Sequence, residues 1–367
     1  MTRMLASVTG AEEARIALEG GADIIDLKDP SRGALGAVPP QAIRDVIDLV
    51  QGRVPVSAVT GDLPMEPDCV LAAATEALSA GAMIIKIGIF PAGVPEACIR
   101  ALSTLATRAQ LVAVVFADQA PDLSLLPLLA EAGFAGAMLD TANKRGGRLL
   151  DHMDLPRLRQ FTAACRANAL FSGLAGSLEP PDVPRLLVLQ PAVLGFRGAL
   201  CAGGRAGPID LSAVRTIRAL IPRENGGPEP TCRGEPCRTD QVFLRDWVLP
   251  VRIGAYARER TAAQRVRFNV QATVLRPATP TRDMSDVFSY DIISDGIRML
   301  TEGQHIALVE TLAERIAALV LAHPRVAKVC VTVEKLDVGT GVVGVTIERQ
   351  RDDPVPPVEL LFGAPLQ

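Results

Sequence analysis

Residues 111–116 read Leu-Val-Ala-Val-Val-Phe, an apolar run unbroken by any polar residue. A strand with one wet face alternates, so this run predicts a strand buried on both faces, as in a parallel sheet covered by helices. Outward from it, β-rich runs recur at 3–8, 23–28, 54–59, 83–89, 136–140, 169–174 and 192–197, each followed by an Ala/Leu/Glu/Arg-rich stretch with helical spacing. Together they make eight βα units within residues 1–222. Gly20, Gly21, Gly81 and Gly133 stand where helices should stop, just before the next strand. No Gly-x-Gly-x-x-Gly follows the first strand, so the pattern predicts an α/β TIM (β/α)8 barrel rather than an open doubly wound sheet.

The remaining composition limits the function. The chain has 367 residues, 49% hydrophobic and 22% charged, the balance of a globular protein long enough for two domains. No apolar run reaches the ~18 residues of a membrane span. Residues 1–10 pass directly into Glu12 and Glu13, too early for a signal-peptide core. A cytoplasmic protein with no membrane partner is expected. Residues 1–222 carry 20 Lys+Arg against 22 Asp+Glu and residues 223–367 carry 18 against 19, nets of −2 and −1, so no nucleic-acid partner is expected. The seven cysteines are scattered, and the close pair Cys232 and Cys237 has no neighbouring histidine to complete a zinc site. They read as free thiols, with no metal.

Two scarcities point to the chemistry. The three histidines, His152, His305 and His323, lie far apart, which disfavours histidine-based triads and multi-histidine metal centres. Only five of the 38 basic residues are lysines: Lys28, Lys86, Lys144, Lys328 and Lys335. Arginine stays protonated, whereas a desolvated lysine can become a free amine, so a retained lysine is either a candidate nucleophile or base or a residue left by codon bias.

Position along the barrel separates these readings, because reactive groups stand at the C-terminal ends of barrel strands. Asp26 and Lys28 end the second strand, Lys86 lies on the fourth, and Asp140 ends the sixth with Lys144 just beyond. Asp26 interrupts an apolar strand where a structural layer would use Val, Ile or Leu. It either orients Lys28 or satisfies the barrel base. After strands 7 and 8 come Gly176 and Ser177, then Arg197 and Gly198, running into Gly203 and Gly204. Such loops serve either as tight turns or as phosphate cradles, and barrels place phosphate after these two strands. Lysines sharing a barrel mouth depress one another's pKa, leaving a free amine able to condense with a carbonyl as a Schiff base. A carboxylate such as Asp140 could shuttle protons. The scheme needs no cofactor or metal, and its substrate would be small and phosphorylated.

The segments Gly-Gly-Ala-Asp-Ile-Ile-Asp-Leu-Lys-Asp-Pro (20–30), Gly-Ala-Leu-Gly-Ala (33–37), Ile-Lys-Ile-Gly (85–88), Ala-Met-Leu-Asp-Thr-Ala (137–142), Leu-Ala-Gly-Ser-Leu (174–178) and Gly-Phe-Arg-Gly-Ala (195–199) resemble the (5-formylfuran-3-yl)methyl phosphate synthase family. The resemblance spans residues 3–221. It implies a TIM barrel that condenses two glyceraldehyde 3-phosphates into a furan aldehyde phosphate, losing phosphate and water, for methanofuran-type cofactors. It also implies that Lys28 is the Schiff-base lysine, Lys86 the proton acceptor and Asp140 an acid/base partner, with Lys144 beside them.

Residues 223–240 form a polar Gly/Pro-rich stretch that reads as a linker. Strand-like runs at 242–256 and 264–276, helical patterns at 285–302 and 306–322, and strands at 326–335 and 341–349 follow. The order ββααββ predicts an α+β domain over 241–350, an antiparallel sheet with helices on one face, followed by a tail at 351–367. So small a sheet should oligomerise to cover its edges. Arg252, Arg258, Arg260, Arg265 and Arg267 form a basic stretch that is either a solvated or interfacial face or an anion site.

Ile-Gly-Ala-Tyr-Ala-Arg-Glu-Arg (253–260), Val-Phe-Ser-Tyr-Asp (287–291), Leu-Val-Glu-Thr-Leu-Ala-Glu-Arg-Ile (308–316) and Val-Thr-Val-Glu-Lys (331–335) resemble the dihydroneopterin aldolase family across about residues 242–350. The resemblance implies the T-fold, sites between subunits of a homo-oligomer, and cleavage of a pterin substrate to 6-hydroxymethyldihydropterin and glycolaldehyde without a Schiff base. Glu310 would then anchor the pterin, Lys335 would be the acid/base amine, Tyr290 would assist proton transfer and Glu259 would be a further site carboxylate. Glu310 also fits a plain charge at a helix N-terminus, and Lys335 an ordinary strand-end lysine. The rival expectation is a Schiff-base aldolase for another sugar phosphate whose T-fold serves only oligomerisation.

Overall fold

The computed structural model describes residues 1–222, 238–276, 287–303, 305–338, 341–356 and 361. The chain forms two compact units, Met1–Glu224 and Asn225–Gln367.

In the first unit, β1 (Arg3–Val8), β2 (Ile24–Leu27), β3 (Val56–Val59), β4 (Ile84–Gly88), β5 (Gln110–Phe116), β6 (Gly136–Asp140), β7 (Phe171–Leu174) and β8 (Val193–Phe196) pair in that order. β8 returns parallel to β1 and closes the barrel. The unbroken apolar runs are explained by burial on both faces: residues 111–116 of β5 are all buried. Helices fill the intervals where local signals are strong. Prolines open Pro40–Val50, Pro67–Ser79 and Pro95–Leu102, where the missing N–H has no partner to lose. Asp154 and Asp210 cap Leu155–Ala167 and Leu211–Leu220 by accepting from the Arg157 and Ala213 N–H groups. Leu5, Ile24, Val59, Val112, Val114, Phe116, Met138 and Val193 belong to one buried apolar cluster, with Phe90 stacked on Phe116.

The second unit is a four-stranded antiparallel sheet of β9 (Thr239–Val251), β10 (Gln264–Leu275), β11 (Val326–Lys335) and β12 (Val343–Gln350), ordered β12-β11-β10-β9. One face is apolar: Val266, Phe268, Val270, Ala272 and Val274 are buried at alternate positions of β10. The helix Val309–Leu321 packs on β11 and β12, and Asp291–Thr301 touches β9.

Several expectations change at their boundaries. Thr239 and Asp240 belong to β9 rather than to the linker, whose residues 223–237 lie outside the described residues, as do Cys232 and Cys237. The strand expected to run to 256 stops at Val251 and is followed by a short helix, Ala257–Thr261. Gly254 turns the backbone there with φ +135°, and the Glu259 side chain returns to accept from the Tyr256 N–H at 3.0 Å. The helix expected over 285–302 spans Asp291–Thr301, residues 285 and 286 lying outside the described residues. Of the expected tail, 357–360 and 362–367 are likewise outside, while Leu361 is buried.

Candidate active site

Strand register builds the centre of the barrel mouth. Ser7 of β1 and Ser57 of β3 both stand opposite Asp26 of β2. Their hydroxyls donate to its two carboxylate oxygens, Ser7 Oγ to Oδ2 at 2.9 Å and Ser57 Oγ to Oδ1 at 2.6 Å. Lys86 Nζ donates to the same Oδ2 at 3.0 Å. Asp26 is fully buried, which opposes its ionisation, but the Lys86 and Lys28 charges and the hydroxyls outweigh that and hold its carboxyl below the usual range. Ser57→Ala removes a donor from a buried carboxylate oxygen. It is expected to lower the unfolding free energy by about 1–3 kcal/mol, read as a lower urea midpoint at unchanged slope.

Lys28 directly follows the same strand, buried, with Nζ 3.4 Å from Asp140 Oδ2. Lys144 is bonded to the other oxygen, Oδ1, which also accepts from the Thr141 N–H at 2.8 Å. Burial pushes the Lys28 amine down to about 8; Asp140 pulls against it, and the Lys144 and Lys86 charges add to the depression. Burial lowers Lys144 as well. For Asp140, burial is overridden by Lys144, then Lys28 and the Thr141 N–H, so its carboxyl stays far below the ordinary carboxylate range. Lys28, Lys86 and Lys144 against Asp26 and Asp140 leave one positive charge in excess, which favours a neutral amine at one lysine and an anionic ligand in the mouth.

These groups open into a pocket of about 460 Å³. Lys28, Lys86, Asp140 and Lys144 line it, with Gly176, Ser177, Arg197, Gly198 and Gly204. Asp26 lies behind Lys86, and Gly203 is on the same loop but outside the lining. Gly176 (φ +119°) and Ser177 (φ +50°) both occupy the left-handed region; this strained turn at the mouth is the kind of backbone found at anion cradles. The flanking loops are braced by carboxylates. Asp118 accepts from the Ala142 and Asn143 N–H groups at 2.8 and 2.7 Å, fixing the segment that carries Lys144. Asp62 accepts from those of Ala34 and Leu35, both at 2.8 Å.

A family model described as "4-HFC-P synthase" matches residues 4–218, more than half of the chain. The chain belongs to this family. A second model, "Dihydroneopterin aldolase", matches residues 242–348. Among relatives of the 4-HFC-P synthase family region, a Methylorubrum extorquens protein is 44% identical over 225 residues, covering 59% of this chain and 92% of its own. The (5-formylfuran-3-yl)methyl phosphate synthase of Methanosarcina mazei is 36% identical over 230 residues, covering 59% of this chain and 98% of its own. For the second unit, the crystal structure of E. coli dihydroneopterin aldolase in complex with neopterin is 32% identical and covers 30% of this chain and 98% of that one, with a TM-score of 0.27.

In the second unit, Lys335, at the end of β11, is bonded to Glu259 of the short helix. Gln264 Nε2 also donates to Glu259 Oε1 at 3.1 Å, and Lys335 and the Tyr256 N–H bring this carboxyl down to about 2. A Cβ at Gly254 would stand 2.0 Å from the Glu259 carboxylate, so only glycine leaves it room. His305 Nε2 and the Gly254 carbonyl are 2.8 Å apart, and Gly254 N–H donates to the Ile306 carbonyl at 2.9 Å, tying this turn to the segment before Glu310. Tyr290 and Glu310 are exposed, one just before Asp291–Thr301 and the other in the first turn of Val309–Leu321. The fold of this unit thus joins Glu259 to Lys335 and leaves Tyr290 and Glu310 on its surface. Two arginines of the basic stretch are paired, Arg265 with Asp337 at 2.7 Å and Arg267 with Glu334 at 2.8 Å, and Arg252 donates to the Gly303 carbonyl at 3.0 Å; the Arg258 side chain lies outside the described residues.

Sequence reading missed Ser7, Ser57, Glu13 and Arg205. The two serines carried no local signal, because only register sets them opposite Asp26. Glu13 entered only as a charge too early for a signal-peptide core, and in the structure it lies in the first turn of the helix Ala11–Glu19. Arg205 lay inside the glycine loop already singled out and could have been found there.

Proposed function

We propose that the barrel condenses two molecules of glyceraldehyde 3-phosphate into (5-formylfuran-3-yl)methyl phosphate, with loss of phosphate and water, supplying a methanofuran-type precursor. One observation carries this reading: Lys28 is a buried amine with its pKa near 8, in contact with Asp140, within the family's matched region. The free amine attacks the aldehyde or ketone carbon and loses water to give an iminium at Lys28, an electron sink for enamine formation. Lys86, held on Asp26, is the proton acceptor in its neutral amine form. Asp140 rests ionised and takes protons first, with Lys144 as the donor bonded to it. Gly176, Ser177 and the loop after β8 receive the phosphates. Incubation with glyceraldehyde 3-phosphate alone should give furan absorbance together with inorganic phosphate. An adduct on Lys28 without furan would leave an aldolase for another sugar phosphate.

For the second unit we propose retro-aldol cleavage of dihydroneopterin to 6-hydroxymethyldihydropterin and glycolaldehyde. Lys335 relays the proton and Glu259 holds its charge, while Glu310 and Tyr290 of a neighbouring subunit complete the pterin seat. Their exposure supports a site closed by oligomerisation, as do the two sheet edges, β9 and β12, with Phe243 and Val343 half exposed. We place the first domain at 1–222 and the second from 239, where β9 begins, to 350. Lys335→Ala is expected to lower pterin cleavage about 10²–10⁴-fold, the range for losing a general acid/base, while furan formation keeps its rate. If pterin cleavage is absent from the parent protein too, the unit serves assembly alone.

A further inference from the structure

Arg197 and Arg205 both line the barrel mouth, but their hydrogen bonds divide them. A guanidinium has five N–H donors. Those of Arg197 are all committed: Nε to the Arg205 carbonyl at 3.3 Å, Nη1 to the Ser7 carbonyl at 3.2 Å and to Glu13, Nη2 to Glu13 Oε1 at 3.0 Å and to the Gly207 carbonyl at 3.1 Å. Its charge is met by Glu13, and it straps the loop after β8 to β1. A ligand could bond to it only by breaking one of these contacts.

Arg205 is the opposite case. Its Nη2 is buried and has no hydrogen-bond partner among the described residues. An unmade hydrogen bond at a buried donor of a half-buried cation is costly, so such a donor calls for a reason, and a ligand that completes it is one. The strap fixes where the residue sits, since Arg197 donates to the Arg205 carbonyl. Gly204, with φ +98°, precedes it on the pocket wall, and a Cβ at Gly203 or Gly204 would meet nothing within 4 Å, so the loop beside the guanidinium is open. The guanidinium is also close enough to Asp140 to feel its charge.

We infer that Arg205, and not Arg197, receives a phosphate of the substrate, seating it beside Lys144 and Asp140 while Arg197 acts as a positioning strut. That the phosphate belongs to a triose rests on the synthase reading; the anion seat rests on the guanidinium alone. Arg205 presents a fork with a free donor to a dianion, in a pocket that carries excess positive charge.

The test is calorimetric titration of the full chain with inorganic phosphate, with thermal melting as the control for folding. The parent protein should bind phosphate. Arg205→Ala should bind it roughly 10- to 100-fold more weakly at an unchanged melting temperature, and Arg205→Lys should recover part of the loss, keeping the charge without the fork. With glyceraldehyde 3-phosphate as substrate, the loss should fall on KM more than on kcat. Equal phosphate affinity in parent and Arg205→Ala overturns the inference, as does a parent that binds no phosphate. If Arg205→Ala does not fold, the same comparison is made with Arg205→Gln. Titration involves no turnover, so phosphate binding that depends on Arg205 in a protein forming no furan would sustain the seat and sink the synthase reading.

Discussion

A Lys28→Arg protein is expected to make no furan, to lose at least about 10³-fold in turnover, and to give no borohydride-stable adduct. The substitution keeps a positive charge opposite Asp140 and removes the amine that can lose its proton near neutral pH. Lys28 is suited to that role by its surroundings. With its pKa near 8, about one molecule in ten carries the free amine at pH 7, against roughly one in three thousand at the usual lysine value near 10.5. The sign follows: kcat/KM should rise with pH and level off above about 8, because the reactive form is the deprotonated one. Peptide mass spectrometry after borohydride trapping identifies the residue. An adduct in Lys28→Arg, or a rate near that of the parent, would remove Lys28 from the mechanism.

Asp140→Asn is expected to separate the two halves of the chemistry. Asp140, ahead of Asp26, supports the charged form of Lys28, so its loss should lower the Lys28 pKa further and shift the rising limb of the pH profile to more acidic values. Imine formation at Lys28 should therefore persist, and borohydride should still trap it. Proton transfer after the imine loses its carboxylate and the anchor of Lys144, so furan formation should fall about 10²–10⁴-fold. The paired readout is trapped adduct against furan absorbance on the same sample. A variant that loses trapping and furan formation together would make Asp140 a support for Lys28 rather than a proton carrier.

The two experiments probe one cluster, whose charges were only partly legible from the chain. The barrel was legible because its cause is local: a strand buried on both faces must be apolar at every position, and residues 111–116 are, while Gly20, Gly21, Gly81 and Gly133 stand where helices stop. The lysines were legible for another local reason, since in a chain that uses arginine almost everywhere the retained Lys28, Lys86 and Lys144 stand out. The short helix Ala257–Thr261 was missed because apolar periodicity ran through Gly254, whose left-handed turn is held by the Glu259 side chain rather than by any pattern of hydrophobicity.

Local pattern alone placed the barrel, the ββααββ order and the lysines at the strand ends. Tertiary structure decided which groups share a proton, a charge or a strap. Ser7 and Ser57 reach Asp26 across strand register, Lys335 reaches Glu259 from 76 residues away, and Arg197 spends its donors on Glu13, 184 residues earlier. Hydrogen bonds and Coulomb forces act over a few ångströms of space, and separation along the chain leaves no trace of them in composition or period. That is why two arginines eight residues apart, alike in sequence, become a spent strut and a free anion seat only once the barrel has closed.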